Sequence, residues 1–208
     1  MKKSLMLFVL VFMCIILVGC KGVTRENPTY GDLSDYTGKI TNIEMSVKNY
    51  GIIKLELYDD LAPITVENFK KLINEKFYDG LTFHRIMNNF MIQGGAPEGT
   101  VSGGSSETIK GEFQANGVSN NLSHVRGVIS MARSSSYNSA SSQFFIVQAD
   151  AVYLDGNYAG FGMVTEGMDV VDNIAVSANP TDDNGTIEAS EQPIIEYIKI
   201  IDETKKNK

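Results

Sequence analysis

The stretch Phe83 to Gly95 reads FHRIMNNFMIQGG and predicts a β-hairpin that presents polar and apolar side chains together. Two apolar runs flank Asn88-Asn89-Phe90. If these three residues form the turn, Arg85 lies opposite Gln93 on the neighbouring strand. Because side chains alternate between the two faces of a strand, Arg85, Met91 and Gln93 then project from the same face. The hairpin therefore places a guanidinium and an amide beside a soft apolar side chain.

A second hairpin is predicted upstream. Ile53, Leu55 and Leu57 alternate with polar residues, and this period of two is typical of a strand with one buried face. Another apolar run, Ile43 to Val47, precedes it, and the turn is expected at residues 48–51. The two runs together predict an antiparallel pair.

Two helices are predicted between the short strands. Pro63 suits the first turn of a helix from Ile64 to Phe77, because the amide hydrogen that proline lacks would have no partner there. A shorter helix is expected from Glu166 to Ile174. The residues predicted to face the core are Val66, Phe69, Leu72 and Ile73 in the first helix, and Met168, Val171 and Ile174 in the second.

The other apolar runs are short and are separated by Gly, Asn and Ser. Many short strands with only two helices favour a closed antiparallel β-barrel whose ends are covered by the helices. The runs cover residues 81–87, 91–93, 127–131, 144–147, 161–164 and 194–201.

The first twenty residues have the pattern of a bacterial lipoprotein signal. Lys2 and Lys3 precede an apolar run from Leu5 to Val18, which is shorter than the roughly 20 residues that a transmembrane helix needs. The run ends in Leu17-Val18-Gly19-Cys20, which resembles a lipobox, where cleavage precedes a cysteine that carries the lipid. The alternative is an ordinary signal peptide or membrane anchor that contains a cysteine.

This pattern divides the chain into four parts. We expect a signal peptide over residues 1–19, a lipidated Cys20 with a flexible tether over 20–41, a folded domain over 42–203 and a polar tail over 204–208. Cys14 falls in the signal, so the mature chain keeps one cysteine and has no internal disulfide. The expected location is extracytoplasmic, on a bacterial cell membrane.

Several classes of function are disfavoured by composition and spacing. The net charge is −7 without a cluster of Lys or Arg, so nucleic acid is not an expected partner. His84 and His124 are the only histidines, and no cysteine or paired carboxylate completes a zinc site. We therefore interpret both histidines as structural or surface residues rather than catalytic ones, and we expect neither a metal nor a cofactor. The acidic segment 179–192 lacks calcium-loop spacing and is interpreted as a surface loop.

Three separated motifs resemble the signatures of the cyclophilin family. Phe83 to Gly95 matches the first, in which Phe-His-Arg-Ile is followed by Phe-Met-x-Gln-Gly-Gly. Ser130 to Arg133 and Ser142 to Ile146 match the second, and Leu154 to Gly156 with Phe161-Gly162 matches the third. The resemblance implies peptidyl-prolyl cis–trans isomerase activity and a mainly β fold, a closed eight-stranded antiparallel barrel capped by two α-helices.

The resemblance also implies a role for each matching residue. Arg85 is the expected catalytic hydrogen-bond donor, since it stays protonated and can stabilise the prolyl nitrogen when the amide is twisted. Phe90 and Gln93 are grouped with it as catalytic. The implied substrate-binding residues are Met91, Ala132, Arg133, Gln143, Phe145, Tyr153, Leu154 and Tyr158.

Three positions depart from the pattern of many family members. Tyr153 stands where tryptophan is common, Tyr158 where histidine is common and Arg133 where asparagine is common. The Arg133 change should matter little if only its backbone binds substrate. Because many members use the tryptophan to bind cyclosporin, we expect Tyr153 to weaken sensitivity to it.

The expected function is isomerisation of Xaa-Pro bonds in exported or surface proteins, which assists their folding outside the cytoplasm. The partners are proline-containing peptide segments and the membrane, and the protein is expected to be a monomer. One alternative is a non-catalytic module that binds proline peptides as a chaperone. Another is that activity is incidental to adhesion or host interaction.

Overall fold

The N-terminal hairpin opens the folded region in a computed structural model, which describes residues 31, 33 and 35–205. β1 (Lys39–Val47) pairs antiparallel with β2 (Gly51–Tyr58), and the turn occupies residues 48–50. Ile53, Leu55 and Leu57 are at most 1 % exposed, as their alternation predicts. This hairpin is therefore confirmed.

The hairpin belongs to one eight-stranded antiparallel sheet that curls on itself. Its strand order is β3-β4-β6-β5-β7-β2-β1-β8. The outer strands β3 and β8 approach each other at an isolated bridge between Thr82 and Ile194, without a continuous ladder. The predicted barrel is confirmed, although full closure is an overstatement. The further strands are β3 (Thr82–Met87), β4 (Met91–Ala96), β5 (Val128–Met131), β6 (Phe144–Val147), β7 (Gly160–Glu166) and β8 (Ile195–Lys205).

The first helix, α1 (Pro63–Asn74), ends three residues before the predicted Phe77. Lys76 adopts a left-handed conformation with φ of 56°. The Phe77 N–H then donates to the Leu72 carbonyl and the Lys76 N–H to the Ile73 carbonyl, both at 2.9 Å. This pair of bonds is a Schellman motif, which closes a helix. A lysine at the left-handed position gives no sequence signal for it, because glycine is the usual residue there.

The second helix, α2 (Met168–Ser177), begins two residues later and ends three residues later than predicted. Glu166 belongs to β7, and Gly167 turns the chain at the N-cap with φ of 90°. Two short 3₁₀ helices, Gln114–Asn116 and Val152–Leu154, were not predicted.

Two apolar clusters lie on opposite faces of the sheet. Along β4 and β6, Ile92 and Phe144 belong to the larger cluster, which also contains the buried faces of both helices. Their neighbours Met91 and Phe145 belong to the smaller cluster. Because alternate residues of a strand face opposite sides, the smaller cluster lies outside the barrel. It forms the floor of the candidate site described below.

Residues that precede β1 also contact the folded domain. The Gly31 N–H donates to the Asn121 carbonyl at 3.0 Å, and the Ser123 N–H donates to the Gly31 carbonyl at 2.8 Å. The ring of Tyr36 packs on that of Tyr58 with centroids 4.8 Å apart. This part of the predicted tether is thus in contact with the domain.

Within residues 31, 33 and 35–205, no helix has the length and apolar character needed to cross a membrane. The predicted signal, Cys20 and the last three residues of the predicted tail lie outside the described residues.

Candidate active site

The β3–β4 hairpin has the register that its sequence predicts. Arg85 pairs with Gln93 and Met87 with Met91, so the turn consists of residues 88–90. Asn89 takes a positive φ of 63°, a conformation that asparagine tolerates better than most residues. The Phe90 N–H donates to the Met87 carbonyl at 3.0 Å and closes the turn. The turn therefore fixes Arg85 and Gln93 side by side.

The Arg85 guanidinium is held by neutral partners. Its Nε–H donates to the Asn184 carbonyl at 2.7 Å, and its Nη1 donates to Gln93 Oε1 at 3.0 Å. The sulfur atoms of Met87 and Met91 lie 3.2 Å from Nη2 and 4.0 Å from Nη1. Partial burial lowers the pKa of Arg85, and no carboxylate within the described residues forms an ion pair with it. Since thioethers are weak acceptors, most of the five N–H groups retain the capacity to bind a ligand.

A chain of amides orients Gln93. Its Nε2 donates to Gln143 Oε1 at 2.9 Å, and Gln143 Nε2 donates to the Gly103 carbonyl at 2.9 Å. Both glutamine side chains are buried. Because each amide donates in the same direction along the chain, Gln93 Oε1 is left to accept from Arg85.

Apolar and aromatic side chains form the floor and wall beside the guanidinium. Met91 and Phe145 are 1 % and 5 % exposed, and Phe145 meets Tyr158 edge to face with centroids 6.0 Å apart. The ring centroids of Phe90 and Tyr153 lie 5.9 Å apart at the outer rim of this surface. These rings and Met91 give an apolar surface directly next to a positive charge.

These residues line an open cavity with a volume of about 450 Å³, which is within the range of small-ligand sites. All of the predicted catalytic and substrate-binding residues except Gln143 line it. The lining consists of Arg85, Phe90, Met91, Gln93, Ala132, Arg133, Phe145, Tyr153, Leu154 and Tyr158, together with Val101 and Asn184.

Gln143 lines a second cavity of about 370 Å³ on the other side of Gln93. The two cavities share Gln93, Val101, Ala132 and Arg133, so they form one continuous groove. The added wall is rich in hydroxyl groups and carries no further charge, and its residues include Ser102, Ser134, Ser139 and Ser141.

The side chain of Arg133 has more contacts than the sequence predicts. Its guanidinium carbon lies 4.6 Å from the ring centroid of Tyr158 and 5.1 Å from those of Phe113 and Tyr137. Its Nε and Nη2 donate to the Asn157 carbonyl at 3.0 and 2.8 Å. The Arg133 side chain therefore also has a role in the site, since it braces Tyr158 at the cavity wall.

Val101 and Asn184 were missed by the sequence analysis. Val101 lies in a Gly- and Ser-rich stretch without periodicity, and it is 49 % exposed. Asn184 lies in the segment interpreted as a surface loop. The dipeptide Asn184-Gly185 predicts a turn, but it does not indicate which part of the fold the turn contacts. In the structure the turn contacts the edge of β3, where the Ile86 N–H donates to the Gly185 carbonyl at 2.8 Å.

Neither histidine lines the cavity. His124 is fully buried, with Nδ1 2.9 Å from Asp155 Oδ1 and Nε2 2.9 Å from Ser130 Oγ. Its ring stacks on Phe145 with centroids 6.1 Å apart. Burial lowers the pKa of His124 and, more strongly, that of His84, to about 4. No group of three or more potential metal ligands occurs in the part of the chain that the structure describes.

Comparisons with known families and known proteins all match peptidyl-prolyl cis-trans isomerases. The family model described as cyclophilin type peptidyl-prolyl cis-trans isomerase matches residues 42–202. A peptidyl-prolyl cis-trans isomerase of Acinetobacter baylyi is 45 % identical over 141 residues, which cover 65 % of this chain and 72 % of the relative. Peptidyl-prolyl cis-trans isomerase B of Bacillus subtilis is 46 % identical over 123 residues, which cover 59 % of this chain and 82 % of the relative.

Among solved structures, a cyclophilin-type isomerase of Cryptosporidium parvum, crystallised in the presence of the dipeptide Ala-Pro, matches with a TM-score of 0.66. It is 30 % identical, and the match covers 77 % of this chain and 99 % of that one. A cyclophilin of Hirschia baltica, at 23 % identity and a TM-score of 0.63, shares the fold.

Proposed function

Because the chain belongs to the cyclophilin-type peptidyl-prolyl cis–trans isomerases, we propose that Arg85 is its catalytic group and exported proteins are its substrates. Its activity is therefore the rotation of the peptide bond that precedes proline. We further propose that it acts as a monomer outside the cytoplasm, attached to the membrane through Cys20.

The chemical task is to lower a barrier to rotation. Amide resonance opposes rotation with a barrier of about 18–20 kcal/mol, and uncatalysed Xaa-Pro bonds take tens to hundreds of seconds to interconvert. In the twisted transition state the prolyl nitrogen becomes pyramidal and regains a basic lone pair. A donor that bonds this lone pair stabilises the transition state more than the planar ground state, and such differential binding accelerates the reaction.

The observation that supports Arg85 in this role is its position at the wall of a cavity with an apolar floor, where no carboxylate of the described residues forms an ion pair with it. Phe90, Met91, Phe145 and Leu154 offer a surface for the proline ring, next to the guanidinium. The Ala-Pro dipeptide used with the solved relative supports a proline-containing ligand for this cavity. Arg85 would then donate to the nitrogen of a proline held on that surface.

The peptide around the proline would lie along the groove that joins the two cavities. The Ala132 N–H already donates to the Gln143 carbonyl at 3.0 Å, so it is not free to bind a substrate carbonyl. The backbone of Arg133 makes no hydrogen bond within the described residues. We therefore assign peptide binding to the backbone of Arg133 and to Gln93.

Exchange spectroscopy of a short Xaa-Pro peptide tests the catalytic proposal. The protein should accelerate cis–trans exchange, and Arg85→Ala should lose most of this acceleration while it still binds the peptide. Equal acceleration by both proteins would refute the assignment of Arg85.

The proposed location depends on the N-terminal sequence. The lipobox-like end of the apolar run supports lipid attachment at Cys20. Gly31 is hydrogen-bonded to the domain, and the eleven residue steps from Cys20 to Gly31 span at most about 40 Å. A lipid at Cys20 would therefore hold the catalytic domain close to the membrane surface, where exported chains emerge unfolded.

The two cysteines provide a matched test of the anchor. In cells fed a labelled fatty acid, the parent and Cys14→Ala should incorporate label, whereas Cys20→Ala should not. Protease added outside intact spheroplasts should degrade the parent. Labelled Cys20→Ala protein, or complete protection from external protease, would contradict the anchor or the location, respectively.

The proposed substrates have a separate test. Cells in which the parent is replaced by Arg85→Ala should contain less of those exported proteins whose folding is limited by proline isomerisation. An unchanged profile of exported proteins would contradict this choice of substrates.

A further inference from the structure

The segment from Pro180 to Ile187 covers the outer edge of β3, next to Arg85. β3 lies at one end of the strand order, so its outward backbone groups need partners from elsewhere. The Ile86 N–H donates to the Gly185 carbonyl at 2.8 Å, and the Ile187 N–H donates to the His84 carbonyl at 3.0 Å. These two bonds lie on either side of Arg85 and bring the segment into contact with the strand.

Gly185 allows this close approach. Its φ is +87°, and a Cβ atom at this position would lie 2.5 Å from Met87 Cγ and 2.7 Å from the Ile86 carbonyl oxygen. No side chain fits between the segment and β3 at this point. The preceding residue, Asn184, is therefore held at a fixed distance from the strand.

The carbonyl of Asn184 orients the Arg85 guanidinium. It accepts the Nε–H at 2.7 Å, while Gln93 Oε1 accepts from Nη1 at 3.0 Å. A guanidinium is planar. When two of its nitrogens each donate to an oxygen that is itself held in place, both the position of the group and the orientation of its plane are set. The other N–H groups are then directed by these two bonds, and Asn184 itself lines the cavity.

Asp182 organises the turn that presents this carbonyl. Its Oδ1 accepts the backbone N–H groups of Asn184 and Thr186, each at 3.0 Å, and its Oδ2 accepts the Thr186 hydroxyl at 2.8 Å. The Gly185 N–H donates to the Asp182 carbonyl at 3.1 Å. The backbone and hydroxyl donors lower the pKa of Asp182, so its carboxylate is ionised at neutral pH.

Asp183 differs from its neighbour. It is also exposed, but it makes no hydrogen bond or ion pair within the described residues. The two adjacent carboxylates thus have the same charge and different contacts, and they form a natural matched pair.

We propose that Asp182 is a positioning residue for the isomerase reaction: it holds the 182–186 turn so that the Asn184 carbonyl fixes the Arg85 guanidinium at the cavity. The inference rests on the proposed catalytic role of Arg85. Asp182 itself does not touch the reacting amide. Its contribution passes through the Asn184 carbonyl to the Arg85 Nε–H, and its negative charge also acts on the guanidinium, where it partly offsets the lowering of the Arg85 pKa by burial.

The test uses Asp182→Ala, Asp182→Asn and the control Asp183→Ala. Three quantities are measured for each: solvent exchange of the Arg85 Nε–H by NMR, affinity for an Xaa-Pro peptide, and the cis–trans exchange rate with peptide at saturation. Asparagine keeps an oxygen that accepts backbone N–H groups, so it serves as the conservative replacement.

In Asp182→Ala, the Arg85 Nε–H should exchange faster with solvent and the saturated cis–trans rate should fall about tenfold, as expected for a misplaced charged donor. Peptide affinity should stay within about twofold, because the apolar cavity is intact. Asp183→Ala should match the parent, and Asp182→Asn should retain most of the rate. Thr186→Val, which removes one donor to Asp182, should change the same quantities less.

Several results would overturn the proposal. One is that Asp182→Ala and Asp183→Ala give the same Nε–H exchange and the same rate. Another is that Asp182→Asn loses as much activity as Asp182→Ala. Peptide affinity could fall in parallel with the rate, which would indicate a general structural role. If Nε–H exchange responds to Asp182→Ala but the saturated rate does not, Asp182 holds the guanidinium without affecting catalysis, and the proposal fails. The catalytic role of Arg85 is judged separately, from the rate of Arg85→Ala.

Discussion

Replacement of His84 by leucine should make the stability of the protein less dependent on pH between about 4 and 6.5. His84 is 1 % exposed, and neither ring nitrogen reaches hydrogen-bonding geometry with a described residue. Burial lowers its pKa from 6.5 to about 4, and the charge of Arg85 contributes. The neighbouring Gln143 amide and Thr82 backbone oppose this effect but do not cancel it.

The sign follows from the lowered pKa. Above pH 6.5 the ring is neutral in both the folded and the unfolded chain, so its contribution to stability is complete. As the pH falls below 6.5, the unfolded chain binds a proton that the folded chain does not, and the free energy of unfolding decreases. The loss from His84 is about 2 kcal/mol at pH 5 and about 3 kcal/mol at pH 4, and it levels off at about 3.4 kcal/mol below about pH 3.

Urea unfolding of the parent and of His84→Leu at pH 7 and pH 5 measures this contribution. The parent should lose about 2 kcal/mol more between the two pH values than the variant does. Because each protein is compared with itself at the two pH values, any effect of the leucine on packing that is the same at both pH values cancels. His124 remains in both proteins, so the acid sensitivity that its own lowered pKa causes cancels. Equal losses in the two proteins, or an NMR titration of His84 near pH 6.5, would refute the reasoning.

Three further substitutions test the site and its frame. Arg133→Lys keeps the charge but loses the planar contact with Tyr158, so peptide affinity should fall about fivefold while the saturated exchange rate holds. An unchanged dissociation constant in a peptide titration would show that Arg133 does not brace the wall. Gly95→Ala should lower the thermal midpoint and reduce stability by about 2 kcal/mol or more, because φ is +85° and the new Cβ would lie 2.7 Å from the Ser142 carbonyl. A midpoint equal to that of the parent would contradict this. Tyr153→Trp should lower the concentration of cyclosporin that inhibits isomerase activity, because it restores the tryptophan with which many family members bind cyclosporin, at a position that is 68 % exposed at the rim of the cavity. Equal inhibition of the parent and the variant would show that residue 153 does not determine cyclosporin sensitivity.

Local patterns were sufficient to predict the elements that hold the site. The pairing of Arg85 with Gln93 follows from turn length and strand alternation, both of which are encoded within thirteen adjacent residues. The buried face of α1 follows from its apolar spacing. The end of α1 was misplaced because Lys76 closes it in a conformation usually taken by glycine.

Contacts between distant segments could not be predicted in the same way. Asn184 reaches Arg85 across 99 residues of sequence, and nothing in its neighbourhood indicates that the turn returns to β3. The partners of Arg133 come from three separate segments, at Phe113, Tyr137 and Tyr158. The family resemblance identified the position of Arg133 but not the use of its side chain, because that use depends on the tyrosine at position 158.

The most direct test of the account is the saturated cis–trans exchange rate of an Xaa-Pro peptide with the parent, Arg85→Lys and Arg85→Ala, measured together with peptide affinity. Loss of a donor that acts only in the transition state should lower the rate of Arg85→Ala about 100-fold or more and change affinity little. Arg85→Lys should recover only part of the rate, because an ammonium cannot satisfy Asn184, Gln93 and the prolyl nitrogen with one rigid plane. A rate for Arg85→Ala equal to that of the parent would contradict the central role of the guanidinium.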